Sequence, residues 1–413
     1  MVLCFQHCIH AAQRLEGVKN SKREEEADLL ALVVGINGNH PVPERGDVWA
    51  RMMPGGNLHP RHIRDICYTI PFAGLQAHCD KLIAGGVRGR MIEVVTRDTQ
   101  GDPTKAVNAV QDLISRAKVD AVWGPTNSGE SLAVTPILAR ARMPNLHPCV
   151  VDSLIDPAKY PNAFRTAPSN GQWDDAVRAY AMRTLGLKQV ALFGDTTGYG
   201  TTAVAASAAA FTKDGATVSY QAQIDANQPD VTPDMLRARD AGAKAIVVWT
   251  VAVGMISRVL NARATLGWDV PVLGHPALGA GEVRGLLEKP SSWDKVYMVG
   301  YRSCSFDAAG KLPPRSEAFV ADLGKAKVNL ADTLLWWVAA GNDAVRLIAT
   351  AIEATGATTP DAIIGNWNGT RDYPGVFGAY SFSPTQHNGY PQDGVVMSQA
   401  NSQKDGAFTL APA

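Results

Sequence analysis

The chain is 413 residues long, more than one ordinary hydrophobic core organises, and with domains of roughly 100–200 residues two lobes are the expected plan. Its 39 Lys and Arg residues balance 39 Asp and Glu, which leaves no surplus positive charge to neutralise nucleic-acid phosphates or hold an anionic membrane, so neither is an expected partner. A content of 46% hydrophobic residues with 38 glycines fits an α/β protein rather than a disordered or fibrous one, and no run reaches the roughly 18 apolar residues of a membrane helix.

The opening stretch, MVLCFQHCIHAAQRLEGVKNSKREEEADLL, mixes polar residues with a charge run and lacks the basic head, apolar run and small-residue cleavage site of a secretory signal, so no signal peptide is expected in it. Cys4, His7, Cys8 and His10 have metal-ligand residue types, but their spacing matches no zinc pattern and no metal is expected. The six cysteines, at 4, 8, 67, 79, 149 and 304, are too scattered for a disulfide framework.

From about residue 74 short β-branched runs alternate with longer helical periods, the pattern of βαβ units and parallel sheets. MIEVVTRD (91–98) predicts a strand, after which Asp102 and Pro103 supply the N-cap and first-turn residue of the helix PTKAVNAVQDLISRA. VDAVWGP (119–125) is the next strand, followed by a Thr-Asn-Ser-Gly turn, a helix through SLAVTPILARA and a strand NLHPCV (145–150). After a loop carrying Phe164, Arg165 and Pro168 the rhythm repeats: helix WDDAVRAYAMRTLG, strand QVALFGD, turn TTGYG, helix TAVAASAAAFTKDG. Strand AIVVWT (245–250), helix GMISRVLNARATLG and strand VPVLGHP complete a second parallel set. The amphipathic stretch AGNDAVRLIATAIEATG (340–356) predicts a helix capped by Gly356, and GVFGAYSFSP predicts a strand pair.

Across roughly 74–413 the chain resembles the leucine/isoleucine/valine-binding branch of the type I periplasmic binding proteins. The resemblance rests on AGGVRGRMIEVVTRDTQGDPTKAV (84–107), VDAVWGPTNSG (119–129), FRTAPSN (164–170), LFGDTTGYG (192–200), AIVVWT (245–250) and GNDAVRLIATAI (341–352), all in family order. It implies an α/β fold of two doubly wound parallel-sheet lobes joined by a three-crossing hinge, with 74–168 and 301–360 in the first lobe and 169–300 and 361–413 in the second. GLQAHCDKLIAGG (74–86) matches the end of the family's first helix, whereas residues 1–73 form an atypical N-terminal segment in which LLALVVGI (29–36) is the candidate first strand. It further implies a monomeric, non-enzymatic periplasmic component of an ABC importer, with a small carboxylate ligand, permease subunits as partners and no cofactor.

Ligands of open α/β sheets bind beyond the carboxyl ends of strands, where free amides and helix N-termini favour anions. Ser128, at such a helix start, matches the family's carboxylate-binding serine, and its rival role is an ordinary N-cap; Asn127 is its weaker neighbour. Cys149 and Val151 stand where relatives offer main-chain groups, although Val151 lacks the side-chain donor many of them have. A buried structural thiol is the expected role of Cys149, since the sequence holds no nucleophile arrangement around it. Tyr199 matches a family tyrosine that closes over the ligand, Thr250 ends its strand facing the cleft, and Trp336 and Trp337 are expected to be packing residues. The loop LGHPALG (273–279) departs from amino-acid-binding relatives, which commonly place an acid there; His275-Pro276-Ala277 offers no carboxylate to a ligand ammonium. The expected ligand is therefore a carboxylate without an α-amino group, such as an aromatic acid, with His275 as a polar or cationic contact.

Two alternatives share the fold: a branched-chain or other amino-acid binder, and a cytoplasmic ligand sensor. A nucleotide-dependent oxidoreductase is disfavoured because the glycines near Leu278–Gly281 do not complete G-x-G-x-x-G.

Overall fold

The computed structural model describes residues 63–65, 87–88 and 92–413 apart from 327, 331 and 332. The expected strand at 29–36, the helix at 74–86 and the Cys4–His10 cluster lie outside the described residues. Strand β1 (Ile63–Asp65) pairs in parallel with β2 (Ile92–Val94). The helix that follows, α1 (Pro103–Asp112), starts as expected, with the Asp102 carboxylate accepting from the amides of Thr104 and Lys105 at 2.7 and 3.0 Å.

Three strands form the next parallel sheet, in the order β3 (Val122–Trp123), β4 (Asn145–His147), β5 (Ala163–Arg165), with α2 (Ser128–Arg140) as the crossover between the first two. β5 replaces the loop expected around Phe164. Its signal was hidden because the strand is only three residues long and completes its pairing with distant chain: Arg165 N donates to His387 O, and Gly389 N to Arg165 O, at 2.8 and 3.0 Å. Phe164 stacks on the His387 ring at 3.8 Å and meets Trp367 and Phe382 edge-on, both at 5.3 Å. Residues 363–390 therefore pack on this first sheet.

A six-stranded sheet runs in the order β14 (Val395–Gln399), β10 (Val296–Tyr301), β9 (Val272–Gly274), β8 (Ala245–Trp249), β6 (Gln189–Asp195), β7 (Thr217–Ile224). All its pairings are parallel except β10 with β14. Alternate residues feed two apolar layers: Val190, Leu192, Val247 and Trp249 on one face, Ala191, Phe193, Ile246 and Val248 on the other. Burial on both faces is why these strands read as continuous apolar runs. The polar edge strand β7 and the partly exposed β14 lack that signature, and neither they nor β10 were anticipated.

Helix α9 (Leu335–Thr355) begins five residues before the expected start and ends at Gly356, whose φ of 70° is the left-handed cap conformation. Of the strand pair expected in 375–384 only one strand, β13 (Ala379–Tyr380), lies in that run; its antiparallel partner, β12 (Tyr373–Pro374), precedes it.

Candidate functional site

The strand order of the six-stranded sheet reverses between β6 and β8, the place where ligand crevices open in such sheets. Asp195 ends β6, and helix α4 (Gly198–Lys213) begins directly after it. Gly200 is required there: a Cβ would lie 2.4 Å from the Asp195 carbonyl oxygen. So the TTGYG stretch, expected as a turn, is the cap and first turn of α4, with the Thr197 hydroxyl accepting from Gly200 N at 3.2 Å.

Thr250, expected to face the ligand, is fully buried. Its hydroxyl donates to Asp195 Oδ2 at 2.5 Å and accepts from Ala252 N at 3.0 Å. Thr250 thus ties the ends of β6 and β8 together and has no hydrogen to spare, because the neighbouring Asp195 carboxylate captures it. The other carboxylate in this region, Asp174 on α3 (Asn170–Ala179), accepts from Ser207 Oγ at 2.5 Å and from Arg178 Nε at 2.7 Å.

Across the crevice, α2 packs against α4. Its cap is Asn127 rather than Ser128: the Asn127 side chain accepts from Gly129 N at 2.9 Å and more weakly from Glu130 N at 3.4 Å. Ser128, 8% exposed, is the first helical residue, and its hydroxyl stands outside the cap while receiving the Cys149 thiol at 3.8 Å. The Cys149 thiol is fully buried, and desolvation pushes its pKa up, so it stays protonated. Val151 is half-buried and precedes the short turn Asp152–Leu154. The loop carrying these residues is held by the buried Arg165, which donates to Val150 O at 3.1 Å and to Asp152 at 2.6 Å, and Asn170 N donates to Val150 O at 3.1 Å. That last bond joins the Cys149–Val151 loop to the start of α3, whose Ser169–Gln172 capping box sets its direction.

From α3 the aromatic wall begins. Trp173 meets the His275 ring edge-on at 5.2 Å, and Tyr199 meets the same ring at 5.5 Å. His275 Nδ1 accepts from Ala277 N at 2.9 Å, and burial lowers the pKa to about 3. His275 is therefore the neutral tautomer with its proton on Nε2, a hydrogen-bond donor and not the cationic contact allowed by the sequence. Tyr199, whose acidity burial suppresses, lies near Tyr301 at the end of β10. Tyr301 in turn packs on Trp336 at 5.0 Å and on Phe377 at 4.8 Å.

The structure therefore brings Tyr199 and His275 into ring contact and gathers Asn127, Ser128, Cys149 and Val151 in a second group, while the Thr250 hydroxyl is taken by Asp195. Trp173 and Tyr301 escaped the sequence analysis. The usable signals were the S-N-G-Q capping box that puts Trp173 one turn into a helix, and the β-rich run VYMVGY, which ends in tyrosine at the carboxyl end of a strand. Among the described residues no cluster of three or more His, Cys, Asp or Glu is placed to hold a metal ion, and no helix is long and apolar enough to cross a membrane.

Residues 72–407 match the family model for periplasmic binding proteins. A curated relative, Leu/Ile/Val-binding protein homolog 3 of Brucella melitensis, is 24% identical over 48% of this chain, and the match spans about half (54%) of that protein. Among solved structures, a type 1 periplasmic binding protein from Bordetella pertussis Tohama I superposes with a TM-score of 0.74 at 21% identity, over 86% of this chain and all of that one. The branched-chain amino acid transporter substrate-binding protein LivJ of Streptococcus pneumoniae, in complex with isoleucine, gives 0.71 at 22% identity over 85% and 99% of the two chains. An ABC transporter solute-binding protein of R. palustris in complex with 4-hydroxybenzoate gives 0.67 at 22% over 85% and 95%. The α/β architecture with its switch-point crevice and the family match over most of the chain agree: the chain belongs to the periplasmic binding protein family, with the type I fold.

Proposed function

We propose that this chain is the extracytoplasmic solute-binding component of an ABC importer of the branched-chain amino-acid type, and that it closes its two lobes on a small carboxylate lacking an α-amino group. The first lobe takes in residues 92–168 and Leu335–Tyr390, so that 361–390, expected in the second lobe, belongs with the first through the packing of Trp367, Phe382 and His387 on Phe164, and the second lobe is the six-stranded sheet with its helices. Asn127, Ser128, Cys149 and Val151 line one jaw; Tyr199 and His275 line the other.

The observation that carries this reading is an asymmetry of charge. On one jaw the Ser128 hydroxyl sits at a helix N-terminus whose cap is supplied by a different residue, leaving it available to an anion. On the other, the nearby carboxylates Asp174 and Asp195 are already bonded to Ser207, Arg178, Thr197 and Thr250, and the loop residue His275 is neutral. An ammonium enclosed there would lose its water while finding Asp174 already paired with Arg178 and both Asp195 oxygens taken by Thr197 and Thr250, so it would gain no free acceptor, a penalty of several kcal/mol. The neighbours that bind isoleucine and 4-hydroxybenzoate bracket the two chemistries this fold accommodates.

The test is a thermal-shift panel on the purified chain, with leucine, isoleucine and valine set against benzoate and short aliphatic acids. Stabilisation by acids lacking an amino group, lost in Ser128→Ala, supports the reading. Stabilisation by leucine or valine alone overturns the ligand class, and turnover of any bound compound overturns the non-enzymatic role.

A further inference from the structure

Tryptophan N–H groups donate and never accept, so one buried without a partner demands an acceptor from somewhere else. The aromatic wall contains two. Trp173 is 6% exposed and its Nε1 has no hydrogen-bond partner; it lies beside the Tyr301 hydroxyl without reaching hydrogen-bond geometry. Trp336, whose ring packs on Tyr301 at 5.0 Å, also has a buried and unpartnered Nε1. The hydroxyls of Tyr199 and Tyr301 are unpartnered as well, although Tyr301 is only 2% exposed. Burial holds both phenols in the protonated form, and the neutral His275 beside Tyr199 carries its proton on Nε2. Each of these groups therefore has a hydrogen to give, and the two indoles can do nothing else.

Resting on the carboxylate reading above, we propose that this wall is a second polar subsite, which reads an oxygen acceptor at the end of the ligand opposite its carboxylate. Trp173 and Tyr301 are its specificity-determining residues. The ligand class is an oxygen-substituted aromatic acid: a flat ring against Tyr199 and His275, an anionic end at Ser128, and a hydroxyl or carbonyl oxygen that accepts from Trp173 Nε1 and exchanges a hydrogen bond with Tyr301. An unsubstituted ring leaves these donors as empty as they are now, and an ammonium turns its own N–H groups against an indole N–H.

The experiment is calorimetric titration of the purified chain with benzoate, 3-hydroxybenzoate, 4-hydroxybenzoate and leucine, repeated on Trp173→Phe and Tyr301→Phe. Phenylalanine keeps the ring of Tyr301 and removes only its hydroxyl, whereas at Trp173 it removes the N–H together with part of the indole, so the Tyr301 variant is the cleaner probe; a thermal melt of each confirms folding. At least one hydroxybenzoate is expected to bind tenfold or more tightly than benzoate, and each variant is expected to erase that preference, so that the ratio of hydroxybenzoate to benzoate affinity falls to about one. A purely packing role lowers all affinities together and so overturns the assignment, as does equal affinity of benzoate and both hydroxybenzoates in the parent chain. If no acid in the panel binds, the carboxylate reading falls too; if benzoate binds and is weakened by Ser128→Ala but the hydroxyl earns no preference, only the second subsite is lost.

Discussion

Acid should loosen this fold through a buried histidine two residues before Cys149. His147, the last residue of β4, is 1% exposed and neither ring nitrogen has a hydrogen-bond partner. Burial first, and the Arg165 cation second, lower its pKa from 6.5 to about 3. A depressed histidine stabilises the fold fully above the unfolded pKa of 6.5, and the contribution is lost as pH falls from there toward 3, because only the unfolded chain takes up the proton. At pH 5 the gap is about 1.5 pH units below the unfolded pKa, which at 1.36 kcal/mol per unit is about 2 kcal/mol. Replacing His147 with leucine removes the titration along with the two unpartnered nitrogens. Urea unfolding of both proteins at pH 7 and pH 5 gives the difference directly: the parent is expected to lose about 2 kcal/mol more than His147→Leu between the two values. His275 is depressed to a similar degree and contributes equally to both proteins, so it cancels. Parallel losses in parent and variant would show that the buried ring is protonated or hydrated in the native state, and would refute the argument.

Three further outcomes are expected. Ser128→Ala should weaken carboxylate binding by about 1.5–3 kcal/mol, the range for a hydrogen bond to a charged group, in calorimetry with no change in melting temperature of the free protein. Thr250→Val should lower the melting temperature by leaving the Asp195 Oδ2 carboxylate oxygen without its donor, at about 1–3 kcal/mol, while ligand affinity stays close to that of the parent. Asp343→Ala should destabilise by several kcal/mol in urea unfolding, because the fully buried carboxylate accepts from Val376 N, Phe377 N, Tyr380 Oη and Asn342 Nδ2 at 2.7–3.1 Å and all four donors would be orphaned.

The parallel sheets were legible because strands buried on both faces, such as QVALFGD and AIVVW, advertise themselves as apolar runs, and because Asp102 and Gly356 punctuate their helices in the expected way. What escaped notice depends on pairing partners far along the chain. β5 owes half its hydrogen bonds to residues 387–389, and β14 reaches β10 from nearly a hundred positions away, so neither carries a local signal. Around the candidate site, the sequence pointed to Ser128, Tyr199 and His275 but could not tell which polar groups were already engaged. Asn127 takes the cap that was the rival role for Ser128, and Asp195 takes the Thr250 hydroxyl expected to face the ligand. Such partnerships are settled by side-chain geometry, and spacing does not encode them. The protonation of His275 was likewise invisible, since its neutrality follows from the depth at which Pro276 and the surrounding rings bury it.

The antiparallel β14 sets an order on biosynthesis. Tyr301 pairs with Val395 and Tyr297 with Gln399, so the open side of β10 stays bare until everything from Arg302 to Gly394 has left the ribosome. During that interval a long, apolar, unsealed margin invites pairing with other chains. Nascent protein caught before Val395 emerges should be the form most in need of a holding chaperone, whereas the sheet strands that precede it are complete much earlier.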